Sequence, residues 1–152
     1  MTAEQMWKLK KTALFDEIGE SRKMVLSTSF EEYVTSRMMS IVITDGTFYF
    51  QTDRIFRKYE QLQKNEKVAL CIDNISVEGR CRELGHPMEN SVFLSLYEKH
   101  FPNSFKRYTG LADERLFAVK PTYIRKWIYE NGESYEEIFD FESKTYEKKK
   151  YH

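Results

Sequence analysis

The chain has no excess of charge of either sign and no long apolar run. Lysine and arginine together number 24, as do aspartate and glutamate, so the formal net charge is zero. A general nucleic-acid binder should be strongly basic, and this balance argues against that class. No apolar segment approaches the roughly 20 residues that span a bilayer. Residues 1–5 are polar and lack the apolar core of a signal peptide. These absences predict a cytoplasmic protein that binds neither nucleic acid nor membrane.

Cysteine and histidine are also scarce. Cys71 and Cys81 both fall inside apolar strand patterns, which predicts two buried, reduced thiols. His86, His100 and His152 are scattered along the chain and show no spacing typical of a metal site. We therefore expect neither a disulfide framework nor a bound metal.

Aromatic residues, in contrast, are abundant, with 10 Tyr, 11 Phe and 2 Trp. This composition is typical of a folded protein. A length of 152 residues suits one domain. We predict a single domain over residues 1–152, in which residues 133–152 form a last strand and residues 142–152 are the candidate for a frayed tail.

The apolar periodicity predicts a mainly β (α+β) fold. Hairpin signals and polar–apolar alternation indicate antiparallel pairing, and five or six such strands usually curl into a barrel. Gly79 and Pro121 interrupt two strands and predict a bulge or a close backbone approach. The predicted strands cover residues 24–28, 33–43, 47–52, 67–73, 75–82 and 115–128, and the predicted helices cover residues 3–18, a segment after residue 53, and residues 87–101.

A cluster of cations follows the clearest hairpin signal of the chain, Asp45-Gly46. The return strand ends near residue 52, and a helix predicted to open at residue 53 carries Arg54, Arg57 and Lys58 in its first turn. Cations at a helix N-terminus oppose the macrodipole, whereas a bound anion would be favoured there. The cluster is therefore either an anion site or a solvated basic turn.

Residues 24–84 resemble the pyridoxamine 5′-phosphate oxidase-like group of FMN-binding split barrels, in particular its short general-stress and nitroimidazole-resistance-type members. Three pieces carry the resemblance in order. Thr35-Ser36-Arg37-Met38-Met39 is similar to the family's S-R-P-M strand, and the segment from Asp45-Gly46 to Gln51-Thr52 is similar to its D-G-x-[IL]-Y-F-x-T hairpin. Lys58, Leu62, Asn65, Val68 and Leu70 fit its K-x-x-x-L-x-x-N-P-x-V-x-[LF] helix and strand, with Glu66 at the proline position.

The resemblance implies a six-stranded antiparallel split β-barrel with flanking helices, and a homodimer that binds FMN between its subunits. Arg37 and Lys58 would hold the FMN phosphate, with Thr52 and Arg57 beside them. Gln51 would reach the same part of the cofactor. Trp127 would either stack near the flavin from the partner subunit or serve as a core or interface residue. The ring or the ribityl chain would be lined by Met38, Met39, Ser40 and Ile41.

The function that follows is an FMN-dependent oxidoreductase that passes electrons from a nicotinamide or another small reductant to a small-molecule acceptor. The larger family members grip a substrate phosphate with an Arg-x-His motif, which is absent here, so pyridoxamine phosphate is not the expected substrate. No general acid or base is identifiable from the sequence. Two alternatives remain: a non-catalytic split barrel that binds flavin or haem, and a small nucleic-acid-binding barrel, which the zero net charge disfavours.

Overall fold

Six antiparallel strands form a closed barrel in the computed structural model, which describes residues 1–152. Their order is β3-β2-β1-β4-β5-β6, and β6 pairs back onto β3 to close the ring. The predicted six-stranded antiparallel barrel with flanking helices is therefore confirmed. The strands are β1 (Ser21–Phe30), β2 (Tyr33–Thr44), β3 (Thr47–Asp53), β4 (Lys67–Ile72), β5 (Ile75–Gly85) and β6 (Glu114–Glu130).

The predicted hairpin turn joins β2 to β3. Asp45 and Gly46 have φ values of 50° and 69°, and a type I′ turn requires positive φ at both central positions. Thr44 consequently faces Thr47, and the register continues to the pair of Val42 with Tyr49. A local sequence signal thus determines how β2 and β3, the two strands of the predicted site, are aligned.

Gly79 of β5 lies where another strand comes close to its backbone. A Cβ atom at this position would come within 2.7 Å of Val119 Cγ1 and 2.8 Å of the Lys120 carbonyl oxygen. The register between β5 and β6 shifts here, because Gly79 faces Pro121 whereas Glu78 faces Tyr123. The predicted bulge and close approach are both confirmed.

β6 is longer than the barrel requires. Its second half pairs with β7 (Glu133–Asp140), which pairs in turn with β8 (Thr145–Lys150). These two strands occupy most of the segment for which the sequence predicted one strand and a possible frayed tail. None of the helices combines the length and the apolar composition that crossing a membrane requires.

The main apolar core fills the barrel. Phe50 and Phe117 stack inside it with ring centroids 5.3 Å apart, and Leu26 and Leu70 are fully buried. Helix α1 (Ala3–Ile18), with the predicted bounds, packs a buried face against the same core.

A second, smaller cluster lies outside the barrel. Phe93 and Tyr97 of α3 (Ser91–His100) cover Val42 of β2 and Leu116 of β6. After α3 the chain continues through the short helix α4 (Pro102–Ser104) and a π-helical turn at Phe105–Thr109 before it enters β6. This excursion forms one wall of the site described below.

Three predictions were wrong in detail. The helix predicted over residues 87–101 is interrupted at Asn90, which caps α3, so that Pro87–Glu89 form a separate 3-10 turn. Helix α2 (Arg57–Lys64) begins at Arg57 rather than at residue 53, because residues 53–56 form a turn in which Arg54 is paired with Asp113. Cys71 is exposed rather than buried, because Val68 and Leu70 of β4 face the core and the alternation turns Cys71 outward. Cys81 is a buried free thiol as predicted, and burial raises its pKa to about 12.

Candidate functional site

A cavity of about 450 Å³ opens between β2, β3, the start of α2 and the segment from α3 to β6. This volume lies within the range of small-molecule and cofactor sites. Recesses of about 580 Å³ beside α1 and about 410 Å³ beside β4 and β5 contain none of the predicted site residues. Six predicted residues line the 450 Å³ cavity, namely Met38, Met39, Ser40, Gln51, Thr52 and Lys58.

Lys58 is the only predicted cation that lines this cavity, and Arg37 is not among its lining residues. Burial lowers the pKa of Lys58, and the like charge of Arg37 lowers it further by repulsion. Burial also lowers the pKa of Arg37. The Lys58 ammonium lies 4.4 Å from the centre of the Phe56 ring, and no carboxylate lies within salt-bridge distance of either cation among the ion pairs of the chain. An anion bound beside Lys58 would relieve this repulsion.

Arg37 is held in place by a hydrogen-bond network. Its Nη1 group donates to the Leu26 carbonyl oxygen at 3.2 Å and to Thr28 Oγ1 at 2.9 Å, and its Nη2 group donates to Thr35 Oγ1. The two threonine hydroxyls donate in turn to Gln61 Oε1 of α2, at 2.6 and 2.7 Å. The network uses three of the five guanidinium N–H donors and leaves two without a partner in the chain.

Thr52 supplies an unsatisfied polar atom at the cavity wall. Its hydroxyl oxygen is buried and has no hydrogen-bond partner in the chain. The neighbouring Gln51, by contrast, accepts a hydrogen bond from the Thr109 hydroxyl at 2.9 Å. A buried hydroxyl without a partner is unusual and unfavourable, and an acceptor atom of a ligand would satisfy it. The lining of the cavity therefore fits a phosphate-bearing group.

The cavity also contains two carboxylates that the sequence reasoning missed. Asp53 and Glu114 face each other across β3 and β6, and Glu114 is only 4% exposed. Burial, and then the charge of Asp53, raises the pKa of Glu114 to about 7, while Lys58 acts in the opposite direction. The alternation of β6 could have revealed Glu114 from the sequence. Glu114 lies two residues before the buried Leu116, so both side chains lie on the face of β6 that packs against α3.

Other predicted residues lie apart from the cavity or beside it. Ile41 is fully buried in the barrel core, and its side chain does not line the cavity. Arg57 lies over the Tyr33 ring at 5.6 Å, in a separate small recess. Trp127 packs edge-on against Tyr151, with ring centroids 5.5 Å apart, on the extension formed by β6, β7 and β8. The cavity is thus lined on one side by residues 38–40, 51–53 and 58 and on the other by residues of the segment from α3 to β6.

The family model described as pyridoxamine 5′-phosphate oxidase matches residues 11–128. This range is most of the chain and includes all six barrel strands, with β6 covered up to residue 128. The chain therefore belongs to the pyridoxamine 5′-phosphate oxidase family. No curated protein sequence matches it.

Solved structures show the same fold. General Stress Protein 26 from Bacillus anthracis is 25% identical with a TM-score of 0.58, covering 77% of this chain and 90% of that one. A pyridoxamine 5′-phosphate oxidase-related, FMN-binding protein from Nostoc punctiforme is 10% identical with a TM-score of 0.63, covering 86% and 87%. HutZ, the haem storage protein from Vibrio cholerae, is 12% identical with a TM-score of 0.58, covering 74% and 88%.

The length of such proteins varies. The chain spans half the length of the Agrobacterium tumefaciens protein Atu2129, a protein of unknown function that it matches with 19% identity and a TM-score of 0.59 over 69% of its own residues. The fold is therefore shared among proteins of different size and with different bound groups.

Proposed function

We propose that the protein binds FMN in the cavity between β2, β3 and α2 and acts as an FMN-dependent oxidoreductase. The observation that carries the proposal is the combination in one cavity of Lys58, which forms no salt bridge, with the unsatisfied hydroxyl of Thr52. A phosphate dianion has only acceptor oxygens. It would therefore match both groups at once.

The residues of the cavity would divide the work of binding. Lys58 would supply a point charge and Thr52 an O–H donor, whereas Arg37, held by its network, would supply directed N–H donors. Met38, Met39 and Phe56 offer apolar surface suited to a ring system. The flavin, when bound, supplies the redox chemistry, and the protein binds and orients it and excludes water.

The first experiment is a spectrum of the freshly purified protein between about 350 and 500 nm, where an oxidised flavin absorbs, before and after FMN is added. Isothermal titration calorimetry with FMN provides an independent measurement. We expect flavin bands that remain with the protein after gel filtration. A flat spectrum together with no heat of binding would refute the proposal.

Substitution of Lys58 tests where the phosphate binds. Loss of one charge-assisted contact costs about 1.5–3 kcal/mol, so Lys58→Ala should weaken FMN binding about 10- to 100-fold. Riboflavin, which lacks the phosphate, should lose much less affinity. Lys64→Ala is the matched control, because Lys64 lies on the same helix, is exposed and pairs with Glu60. Equal losses for FMN and riboflavin would show that Lys58 does not hold the phosphate.

We propose further that the protein is a homodimer with the flavin at the subunit interface. Apolar side chains surround the cavity and remain exposed in the single chain, including Met38 at 60%, Phe56 at 50% and Leu111 at 48%. A contiguous apolar rim of this kind is typical of an interaction surface. Sedimentation equilibrium should give a dimer mass for the wild type and a monomer mass for Leu111→Lys. Val92→Lys, at an exposed apolar position that does not line the cavity, should remain dimeric.

A non-catalytic carrier of flavin or haem is the second candidate, and the likeness to the haem storage protein HutZ favours it. A measurement of turnover distinguishes such a carrier from an oxidoreductase. An oxidoreductase should oxidise NADH or NADPH, or another small reductant, when FMN and an acceptor are present. Tight FMN binding without oxidation of any donor would identify a carrier, and a Soret band after addition of haemin with no flavin binding would identify a haem protein.

We also propose a cytoplasmic location. Cys71 and Cys81 are both free thiols, and Cys71 is exposed. An exposed free thiol is typical of a reducing compartment. Fractionation of cells that produce the protein should recover it with cytoplasmic markers, and recovery outside that fraction would contradict the proposal.

A further inference from the structure

Glu114 is the one carboxylate that is almost wholly covered and yet lines the cavity. It is the first residue of β6 and is 4% exposed. No side-chain hydrogen bond holds its carboxylate. Because the carboxylate has no hydrogen-bond partner in the chain, its ionisation depends on burial and on nearby charges.

Charged and titratable side chains from several elements line the cavity around Glu114. Asp53 of β3 opposes its ionisation, and Lys58 of α2 favours it. Arg37 of β2 acts on Lys58, while Tyr97 of α3 is itself affected by the charge of Glu114. Tyr108, in the π-helical turn, completes the titratable lining. Lys58 is therefore the cation that favours ionisation of Glu114.

We infer that Glu114 couples occupancy of the cavity to proton uptake: it gains a proton when a phosphate group binds beside Lys58. This inference rests on the proposed FMN site and assigns to it a linkage that the sequence did not suggest. A bound dianion would offset the attraction that Lys58 exerts on the Glu114 carboxylate and would add repulsion of its own. Both effects favour the protonated carboxyl, and a neutral carboxyl removes a charge that would repel the phosphate.

The direction of the pH dependence follows from this coupling. Burial and Asp53 already raise the pKa of Glu114 to about 7. If phosphate binding raises that pKa further, a site near neutral pH must take up protons as it fills. The affinity for FMN should consequently fall as the pH rises through this range, and the fall should disappear when Glu114 cannot ionise.

The test is calorimetric titration of FMN at about pH 7.5 in two non-phosphate buffers with different ionisation enthalpies. The phosphate monoester, with a second pKa near 6, is already a dianion at that pH and contributes few protons. We expect the wild type to take up about half a proton per site, as a shift of about one unit around this pH produces. Glu114→Gln should take up none. Glu98→Gln, which removes an exposed carboxylate on α3, should behave as the wild type.

Calorimetric titration of the wild type with riboflavin provides a second test, which does not depend on whether Glu114→Gln folds. In the wild type, riboflavin should bind with little proton uptake, because it lacks the phosphate. Uptake equal to that with FMN, uptake by Glu114→Gln equal to that of the wild type, or no uptake with FMN would each overturn the inference while leaving the FMN site intact. Absence of any FMN binding would instead refute the proposed function, and this inference with it.

Discussion

Replacement of Gln61 should show how much stability the network behind Arg37 contributes. Gln61 is 5% exposed, and its Oε1 atom accepts hydrogen bonds from Thr28 and Thr35 at 2.6 and 2.7 Å. Its Nε2 group also donates to the Tyr33 carbonyl oxygen at 3.4 Å. Gln61→Met keeps a similar shape and removes both acceptor contacts.

The expected loss follows from those two hydrogen bonds. Each contributes about 1 kcal/mol net, and a buried group left without a partner costs about 1–3 kcal/mol. The two threonine hydroxyls lie 3.3 Å apart and can bond to each other, which saves part of that cost. We therefore expect Gln61→Met to lower the free energy of unfolding by about 2–4 kcal/mol. In a chain of this length, that loss corresponds to a fall in Tm of roughly 5–15 °C.

Urea unfolding followed by circular dichroism provides the measurement, provided that the m-value does not change. Gln63→Met is the matched control, because Gln63 is two residues away on the exposed side of α2 and should change stability by less than about 0.5 kcal/mol. A loss for Gln61→Met as small as that of the control would refute the reasoning. The hydrogen bonds of the network would then contribute little to the free energy of unfolding.

Three further predictions concern the barrel and its titratable groups. Gly79→Ala should destabilise the protein by about 1–3 kcal/mol in urea unfolding because its Cβ would collide with backbone, whereas Gly110→Ala, with open space around it, should not. A thiol reagent should modify Cys71 and spare the buried Cys81 in the native protein, and should modify both in urea; two native reactive thiols would contradict this. The pKa of Glu114 is raised from its ordinary value of 4.5 to about 7 in the folded protein. Between these two pH values the folded protein holds the Glu114 proton more tightly than the unfolded chain, so the free energy of unfolding should fall as the pH rises. Glu114→Gln should flatten that fall, which is at most about 3 kcal/mol before solvent screening; an unchanged pH profile would contradict the assignment.

The local parts of the fold could be predicted because their causes are local. A type I′ turn needs residues that tolerate positive φ, and Asp45-Gly46 meets that need without help from the rest of the chain. Alternation likewise identified all six barrel strands, and the bounds of α1 were predicted as they stand. The start of α2 was misplaced because Arg54 is paired with Asp113, a contact that no local pattern reveals.

Only part of the candidate site could be predicted from the sequence, for the same reason. Residues 38–40, 51–52 and 58 lie on two paired strands and the following helix, so the hairpin and the family resemblance were enough to bring them together. Glu114 reaches the cavity only because β6 closes the barrel onto β3, which places it opposite Asp53. The exposure of Cys71 depends in the same way on which face of β4 meets the core.

The sequence by itself determined the hairpin, the strand pattern and the place of Lys58 in the helix that follows β3. These features depend on backbone conformation and on spacing along the chain. Only the tertiary structure decided that Lys58 forms no salt bridge, that the Thr52 hydroxyl is left without a hydrogen bond, and that Glu114 lines the same cavity. Burial and electrostatic coupling depend on distances between segments far apart in the sequence, and those distances exist only once the barrel has closed.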